Sequence, residues 1–402
     1  MNENSKIKPY FLCLALCLII GVSGGVIGAL FSRLIALVTA VRTSHSFLIY
    51  LLPVGGLAVV FLYEKLKING QNTNRVLESA DGENTLNPFL LIGIFVSSVI
   101  SHLFGASVGR EGAALQLGGS ISLIFSKWFK INEDMRKILT RAGMAAVFSA
   151  VFGTPIAAFL FPLEIVTVGK IHYKSAFPSL VASFTAFYTA KLCGAESEML
   201  TGFFVPSFSL SVLLKIAVIT TLTAALSIAF CHSLHLSEKL AEKLIKNPYI
   251  RIIAGSALLI LLTLIVGNND YNGGGMNVVE RVFYEGKFVP YAFALKLLFT
   301  AVSVGVGFKG GEIVPTLFIG ALFGAALGAS LGLPVAFAAS LGMILLFCGV
   351  TNCPLTSIAL AFELFAATGF WYFIPTVAFC FLLSGKISLY SSQKNTLPCK
   401  FY

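Results

Sequence analysis

The chain has 402 residues, of which 57% are hydrophobic and only 11% are charged, and its mean hydropathy is +0.88. About a quarter of the residues of a soluble domain are charged, so this chain lacks the charged surface that water requires and must be solvated by lipid. The net charge is +10, but the cations lie in short connectors between apolar runs, as in membrane proteins, which argues against nucleic acid as a partner.

The apolar segments follow one another almost without pause, and we predict that they form membrane helices. They are, in chain order, roughly 10–41, 48–66, 86–104, 112–129, 138–168, 175–193, 203–232, 250–266, 289–308, 312–333 and 335–390. The first is too long for a cleaved signal peptide and is expected to be a retained, long and tilted helix. Others are short or broken, as at Gly153-Thr154-Pro155 and Cys353-Pro354. Broken backbone at membrane depth survives only where protein buries it or a polar cavity adjoins it, so we predict a transporter-like interior.

An internal repeat divides the chain into a first half of about residues 1–195 and a second half of about 196–402, both within one transmembrane unit, 1–402. The offset between the halves drifts slowly from 203 to 199 residues. The matches are Asn69-Gly70 and Asn74 with Asn272-Gly273 and Asn277, Glu111 with Glu312, Gly119 with Gly320, and Gly143-Met144, Phe148, Val151, Pro155 and Glu164 with Gly342-Met343, Phe347, Val350, Pro354 and Glu363. Duplicated membrane folds place their substrate site where broken helices of the two halves meet.

Glu111 is the first candidate for a functional side chain, because glycines in Gly109-Arg110-Glu111-Gly112 break one element and open another. We therefore expect Glu111 near a helix N-terminus, where unpaired N–H groups and the helix dipole attract negative charge. A carboxylate there occupies an anion site, and either a permeant anion or protonation would displace it. The alternative is a carboxylate that only caps its helix, but ionisable groups within a membrane are costly and usually functional.

Glu312 is the repeat-mate of Glu111 and again follows Gly-rich backbone, in Gly310-Gly311-Glu312-Ile313. A second helix N-terminus is therefore predicted to point at the same midpoint, so that the two positive ends would cradle a small anion. The alternative is that Glu312 pairs locally with Lys309.

These motifs resemble the CLC anion channels and exchangers. Further similarity lies in Gly24-Gly25-Val26-Ile27-Gly28 and in Gly385-Lys386-Ile387-Ser388-Leu389-Tyr390, so the likeness covers nearly the whole chain. The resemblance implies an all-α polytopic membrane protein, an inverted repeat of two halves with many short, tilted and broken helices, and a homodimer with one anion pathway in each subunit. It implies that Glu111 is the gating glutamate and that Tyr390 faces the anion from the inner side. The implied anion-binding positions are Gly109, Arg110, Gly112, Ile313, Val314, Tyr390, Asn72 and Thr73.

Departures from the family pattern bear on the choice of anion. Chloride-type members have a Gly-Ser-Gly-Ile-Pro loop, whereas residues 69–74 here contain no serine and only Asn72 or Thr73 could donate to an anion. Ile313 replaces the phenylalanine of their second-half motif, and Ile165 stands where chloride/proton exchangers have an inner glutamate. These changes resemble the fluoride-exporting branch, although its loop methionine is missing and its threonine before the second proline is here Val314.

Other signals favour structural roles. Glu164 and Glu363 are expected to bond to backbone or to a polar neighbour, and Gln116 either steadies Glu111 or is a packing amide. Gly21-Val22-Ser23-Gly24 resembles a rhomboid protease motif, but a nucleophilic serine needs a base within reach. The eight cysteines include no CxxC pair, and His232 and His235 have no carboxylate cluster beside them, so no metal or other cofactor is expected.

The sequence thus predicts a transporter or channel rather than an enzyme, whose substrates are small halide anions and protons and whose solvent is membrane lipid. Fluoride export coupled to proton antiport is the leading interpretation, and a chloride/proton exchanger or passive chloride channel is the alternative. About a dozen residues follow Tyr390, so no appended soluble domain is expected. The size suits a multi-pass protein of a bacterial inner membrane.

Overall fold

A computed structural model describes residues 3–195 and 199–397, with side chains from residue 10 onward. Over these residues it contains sixteen α-helices, one 3-10 helix, Ser46–Leu51, and one pair of short parallel strands, β1 (Thr167–Val168) and β2 (Lys394–Asn395). The helices are α1 (Glu3–Ser44), α2 (Leu52–Lys65), α3 (Thr73–Asp81), α4 (Leu90–Phe104), α5 (Glu111–Trp128), α6 (Glu133–Phe152), α7 (Pro155–Glu164), α8 (Tyr173–Leu192), α9 (Leu210–Leu244), α10 (Pro248–Val266), α11 (Met276–Glu285), α12 (Ala292–Val306), α13 (Ile313–Leu331), α14 (Val335–Thr351), α15 (Pro354–Leu364) and α16 (Phe370–Leu383).

The helices α1 to α8 are repeated in order as α9 to α16. The predicted offsets hold at the helix starts, since Thr73 and Met276 begin α3 and α11, and Pro155 and Pro354 begin α7 and α15. Packing repeats too, because α1 contacts α6 and α8 just as α9 contacts α14 and α16. The all-α, two-half architecture predicted from the sequence is confirmed.

Several helices have the length and composition of membrane spans. Five described helical segments are long and apolar enough to cross a membrane, namely Tyr10–Ser44, Ser46–Lys65, Leu210–Leu244, Pro248–Val266 and Ile313–Leu331. Large apolar side chains such as Phe11, Phe61, Leu214 and Leu264 are exposed on these helices, where lipid rather than water must cover them. The protein is therefore a multi-pass membrane protein.

Two of the predicted apolar segments prove to contain more than one helix. Segment 335–390 is divided into α14, α15 and α16, and segment 138–168 is divided into α6 and α7. Both α6 and α14 end at a residue with positive φ, Gly153 at 76° and Asn352 at 58°, shortly before a proline that begins the next helix. The breaks predicted at Gly153-Thr154-Pro155 and at Cys353-Pro354 are thus confirmed, whereas the division between α15 and α16 was not predicted, because hydropathy stays high across it.

The short helices α3 and α11 were not predicted. Each has a strongly amphipathic sequence with one buried face, so neither produces an apolar run. Helix α3 packs against α5 and α11 packs against α13, so each lies beside a helix that begins at the predicted site.

Candidate functional site

The two predicted glutamates lie where two helix N-termini meet. Glu111 is the first residue of α5, and Glu312 immediately precedes α13. The preceding loops pair as an antiparallel bridge in which Gly109 N–H donates to Gly311 O at 2.5 Å and Gly311 N–H donates to Gly109 O at 2.6 Å. The first turns of both helices, whose N–H groups lack intrahelical acceptors, are thereby brought close together.

This close approach requires glycine. A Cβ on Gly311 would lie 2.2 Å from the backbone nitrogen of Gly112, and a Cβ on Gly112 would lie 2.7 Å from Gly311 Cα and 3.1 Å from Glu312 Oε2. Real Cβ atoms do not approach other atoms so closely, so any larger residue would separate the two helix starts. The glycines of both motifs are therefore required for close packing as well as for breaking the helices.

Glu111 is fully buried and is held by the residue before it. Its Oε1 accepts a hydrogen bond from Arg110 Nε at 3.0 Å, and its Oε2 accepts one from the Arg110 backbone N–H at 3.2 Å. The Arg110 side chain is 15% exposed. A buried carboxylate at a helix N-terminus is therefore stabilised both by the helix and by a neighbouring guanidinium.

The hydrogen bonding of Glu312 differs from that of Glu111. Its Oε2 is buried and has no hydrogen-bond partner among the described residues. The expected alternative, a local pair with Lys309, is not formed, because the Lys309 ammonium lies 4.7 Å above the centre of the Tyr63 ring. A buried polar atom left without a partner is unfavourable, so this oxygen is suited to receive a proton or a donor that enters the site.

Two cavities adjoin the paired helix starts. The first, which we call the Arg42 cavity, has a volume of about 450 Å³ and is lined by the predicted residues Gly109, Arg110 and Val314. The second, which we call the Tyr390 cavity, has a volume of about 120 Å³ and is lined by the predicted residues Asn72, Thr73, Glu312 and Tyr390. The remaining predicted residues, Glu111, Gly112 and Ile313, belong to the paired helix starts themselves.

The two cavities are counterparts in the internal repeat. Helix α1 lines the Arg42 cavity through Ile35, Ala36 and Thr39, and residues 199 positions later, Leu234, His235 and Glu238 of α9, line the Tyr390 cavity. The loop before α11 borders the first cavity just as the loop before α3 borders the second. In an inverted repeat such equivalent features face opposite sides of the membrane.

Two polar residues of the Tyr390 cavity, Asn72 and Thr73, accept hydrogen bonds from other residues of the protein. Asn72 Oδ1 accepts from Arg75 N–H at 3.3 Å and so caps α3, while Thr73 Oγ1 accepts from Gln116 Nε2 at 3.1 Å. The Gln116 amide thus contacts Thr73. The Tyr390 hydroxyl is buried and has no hydrogen-bond partner in the described part of the chain.

Glu164 and Glu363 each cap the N-terminus of the helix that carries the other glutamate. Glu164 accepts hydrogen bonds from two N–H groups and a hydroxyl at the start of α15, and Glu363 accepts two from N–H groups at the start of α7. The predicted bonding of both glutamates to backbone is confirmed.

Two sequence signals were set aside, the serine of the protease-like motif and the histidine pair of α9. The Ser23 hydroxyl donates to Ile19 O at 2.8 Å, within its own helix, and none of the described histidines hydrogen-bonds to it. His235 Nε2 lies 3.2 Å from Leu389 O. Over the residues that can be described, no group of three or more His, Cys, Asp or Glu side chains has the arrangement of a metal site.

Comparison with known proteins agrees with this architecture. A family model described as voltage gated chloride channel matches residues 55–385. The chain belongs to this family, the CLC family. It is 32% identical to a chloride/fluoride channel protein of Pseudomonas syringae pv. tomato, over 98% of this chain and 88% of the relative. It is 26% identical to an H(+)/Cl(-) exchange transporter, ClcA, of Vibrio cholerae, over 90% of this chain and 83% of the relative.

A solved structure also resembles this CLC chain closely. The crystal structure of a CLC-type fluoride/proton antiporter superposes with a TM-score of 0.90 at 30% identity, over 96% of this chain and 98% of the other. The resemblance expected from the sequence motifs, and the inverted-repeat fold that it implied, are confirmed.

The sequence analysis missed several side chains around the site. Asn74 lines the Tyr390 cavity, and its Oδ1 accepts from the Ser392 N–H at 3.2 Å and hydroxyl at 3.0 Å. Arg42 and the fully buried Lys296 lie beside the other cavity. A signal was present, because Lys296 is a lone cation inside the apolar run 289–308, and cations at membrane depth are seldom accidental.

Proposed function

We propose that this CLC protein exports fluoride and that protons move in the opposite direction. The observation that carries the proposal is the position of Glu312, whose buried, unpartnered Oε2 lies at the helix start opposite Glu111 and borders the Tyr390 cavity. A second glutamate at this position distinguishes the chain from the chloride-type motif. The similarity to a chloride/fluoride channel protein and to a fluoride/proton antiporter supports the same choice.

In the proposed mechanism the two carboxylates have separate tasks. Glu111 occupies the anion site at the paired helix starts and leaves when it is protonated or displaced by an anion. Glu312 takes a proton on the side of the Tyr390 cavity, which compensates for Ile165 at the position of the missing inner glutamate. The Tyr390 hydroxyl, the Asn72 amide and the Thr73 hydroxyl donate hydrogen bonds to the anion as it crosses this cavity.

The second candidate is a chloride/proton exchanger or a passive chloride channel on the same fold. The observation in its favour is the 26% identity to a chloride/proton exchange transporter over most of the chain. Against it stand the absence of a serine in residues 69–74 and the isoleucine at position 313. We further propose a homodimer in a bacterial inner membrane, in which each chain of 402 residues forms one transport unit without enzymatic activity.

The decisive experiment is ion efflux from proteoliposomes loaded with equal fluoride and chloride, followed with ion-selective electrodes and a proton-sensitive dye. We expect fluoride to leave much faster than chloride, with protons moving inward. Glu111→Gln and Glu312→Gln should each abolish the proton movement, whereas the exposed Glu285→Gln should change neither flux. Equal or faster chloride efflux would refute fluoride export, and fluoride efflux without proton movement would leave a passive channel.

A further inference from the structure

The Arg42 cavity contains a buried guanidinium for which residues 10–195 and 199–397 provide no ion-pair partner. Arg42 is only 8% exposed, and its Nε and Nη1 have no hydrogen-bond partner among the residues that the structure describes. The guanidinium lies against the loop before α11, since a Cβ on Gly273 would be 2.8 Å from Nη2 and 3.5 Å from Nη1. An unpaired buried cation of this kind is strongly unfavourable unless an anion joins it.

A second cation lies on the other side of the same loop. Lys296 is fully buried, and its Nζ donates to Tyr271 O at 3.1 Å and to Gly273 O at 2.5 Å. Both acceptors are neutral carbonyls, and Nζ also lies 5.2 Å from the centre of the Phe318 ring, so none of these partners carries a formal negative charge. Gly273 thus separates two cations at the base of the cavity.

The acidic side chain that lines this cavity, and the one bonded to its Arg110, are already paired. Asp270 lines the cavity, but its Oδ2 lies 2.7 Å from Arg281 Nη2. Glu111 is bonded to Arg110. The cavity therefore has an excess of positive charge.

The start of α11 faces this positive cavity. Gly274, Gly275, Met276 and Asn277 all line it, and no side chain caps the helix. The first N–H groups of this ten-residue helix therefore have no side-chain acceptor, and the helix dipole adds partial positive charge. A helix start and an unpartnered guanidinium in one cavity together form an anion site.

We propose that the Arg42 cavity binds a small inorganic anion between the Arg42 guanidinium and the N-terminus of α11. This site is separate from the paired starts of α5 and α13, and it supplies anions to them from one side of the membrane. Nε and Nη1 are closed to solvent, so the guanidinium offers an entering anion its remaining nitrogen, Nη2; this single contact suits a small free anion better than a phosphate that is attached to a lipid. The choice of fluoride as the probe rests on the proposed function, but the existence of the site does not.

The test is thermal unfolding of the full detergent-purified chain in increasing sodium fluoride, with sodium gluconate at equal ionic strength as the reference. Fluoride should raise the unfolding midpoint, because a ligand that binds the native state stabilises it. Arg42→Gln should raise the fluoride concentration needed for half of this increase about tenfold, since a charged donor contributes that order of affinity. Arg33→Gln removes the same charge from the same helix outside the cavity and should leave the curve unchanged.

Identical fluoride curves for the wild-type protein and Arg42→Gln would refute the proposal. If the glutamine variant does not fold, Arg42→Met replaces it, and an unchanged fluoride curve in that variant would equally refute the proposal. Phospholipid that copurifies with the wild-type protein and is lost in Arg42→Gln would identify a headgroup as the occupant and overturn the small anion. This assay measures binding without transport. A protein that fails to export fluoride could still bind it at Arg42, and a protein that exports fluoride could lack this site, so the two proposals can fail separately.

Discussion

The crossed capping by Glu164 and Glu363 leads to a prediction about stability rather than transport. Glu164 is 8% exposed, and its oxygens accept from Leu355 N–H at 3.0 Å, Thr356 N–H at 2.7 Å and the Thr356 hydroxyl at 2.6 Å. A glutamine at position 164 keeps one acceptor oxygen and turns its amide N–H groups toward a donor. The substitution therefore removes the charge and at least one of three hydrogen bonds.

The size of the effect follows from these contacts. A hydrogen bond to a charged group contributes about 1.5–3 kcal/mol, so Glu164→Gln should lower the free energy of unfolding by about 3 kcal/mol. Glu363 is half-buried and accepts only two bonds, from Ile156 N–H and Ala157 N–H, both at 2.8 Å. Glu363→Gln should therefore cost less, about 2 kcal/mol.

The assay is reversible unfolding in mixed micelles of a mild detergent and sodium dodecyl sulfate, followed by far-UV circular dichroism. The exposed Glu285→Gln is the matched control and should unfold like the wild-type protein. The folded fraction of Glu164→Gln should still move protons together with anions in liposomes, because Glu164 acts on α15 and not on the anion. Wild-type stability of Glu164→Gln, or a larger loss for Glu363→Gln, would refute the capping argument.

Three further substitutions test the site. Tyr390→Phe removes a buried hydroxyl that lacks a protein partner, so thermal stability should hold or rise while fluoride efflux falls several-fold; unchanged efflux would contradict the role of the hydroxyl. Gly311→Ala places a Cβ 2.2 Å from a backbone nitrogen and should abolish transport, and an active Gly311→Ala protein would disprove the close pairing. Asn74→Ala removes the Oδ1 that accepts from the Ser392 N–H and hydroxyl but keeps the Asn74 carbonyl, to which the same hydroxyl donates at 3.1 Å; it should lower the unfolding free energy by about 1 kcal/mol, and a double-mutant cycle should show that Ser392→Ala costs less in that background than in the wild-type protein.

Much of the fold follows from local properties of the chain. Low charge and continuous apolar runs dictate a lipid environment, and helix α1 was predicted as one long helix because its apolar run contains only one charged residue, Arg33, and no proline. The repeat was visible because each half must break its helices at the same places, with glycine or proline at matching positions. The helix starts at Glu111 and near Glu312 were predictable for the same reason.

Local sequence patterns were insufficient to predict the helices where hydropathy is uniform or where polar residues intervene. In segment 335–390 the break at Cys353-Pro354 was predicted, but the later division before α16 was missed, since the residue that turns the chain there, Gly369, lies among apolar neighbours. Helices α3 and α11 were missed because their apolar faces become meaningful only against the helices that bury them.

The arrangement of the candidate site depended on contacts between residues about 200 positions apart. Individual residues could be selected from the motifs, but the Gly109–Gly311 pairing and the division of the site between two cavities follow from packing of the two halves. The same holds for Arg42, which reads in the sequence as an ordinary cation at a helix end. It becomes a buried charge because the loop before α11 and Gly105 at the end of α4 lie against it, and desolvation is a property of the assembled fold.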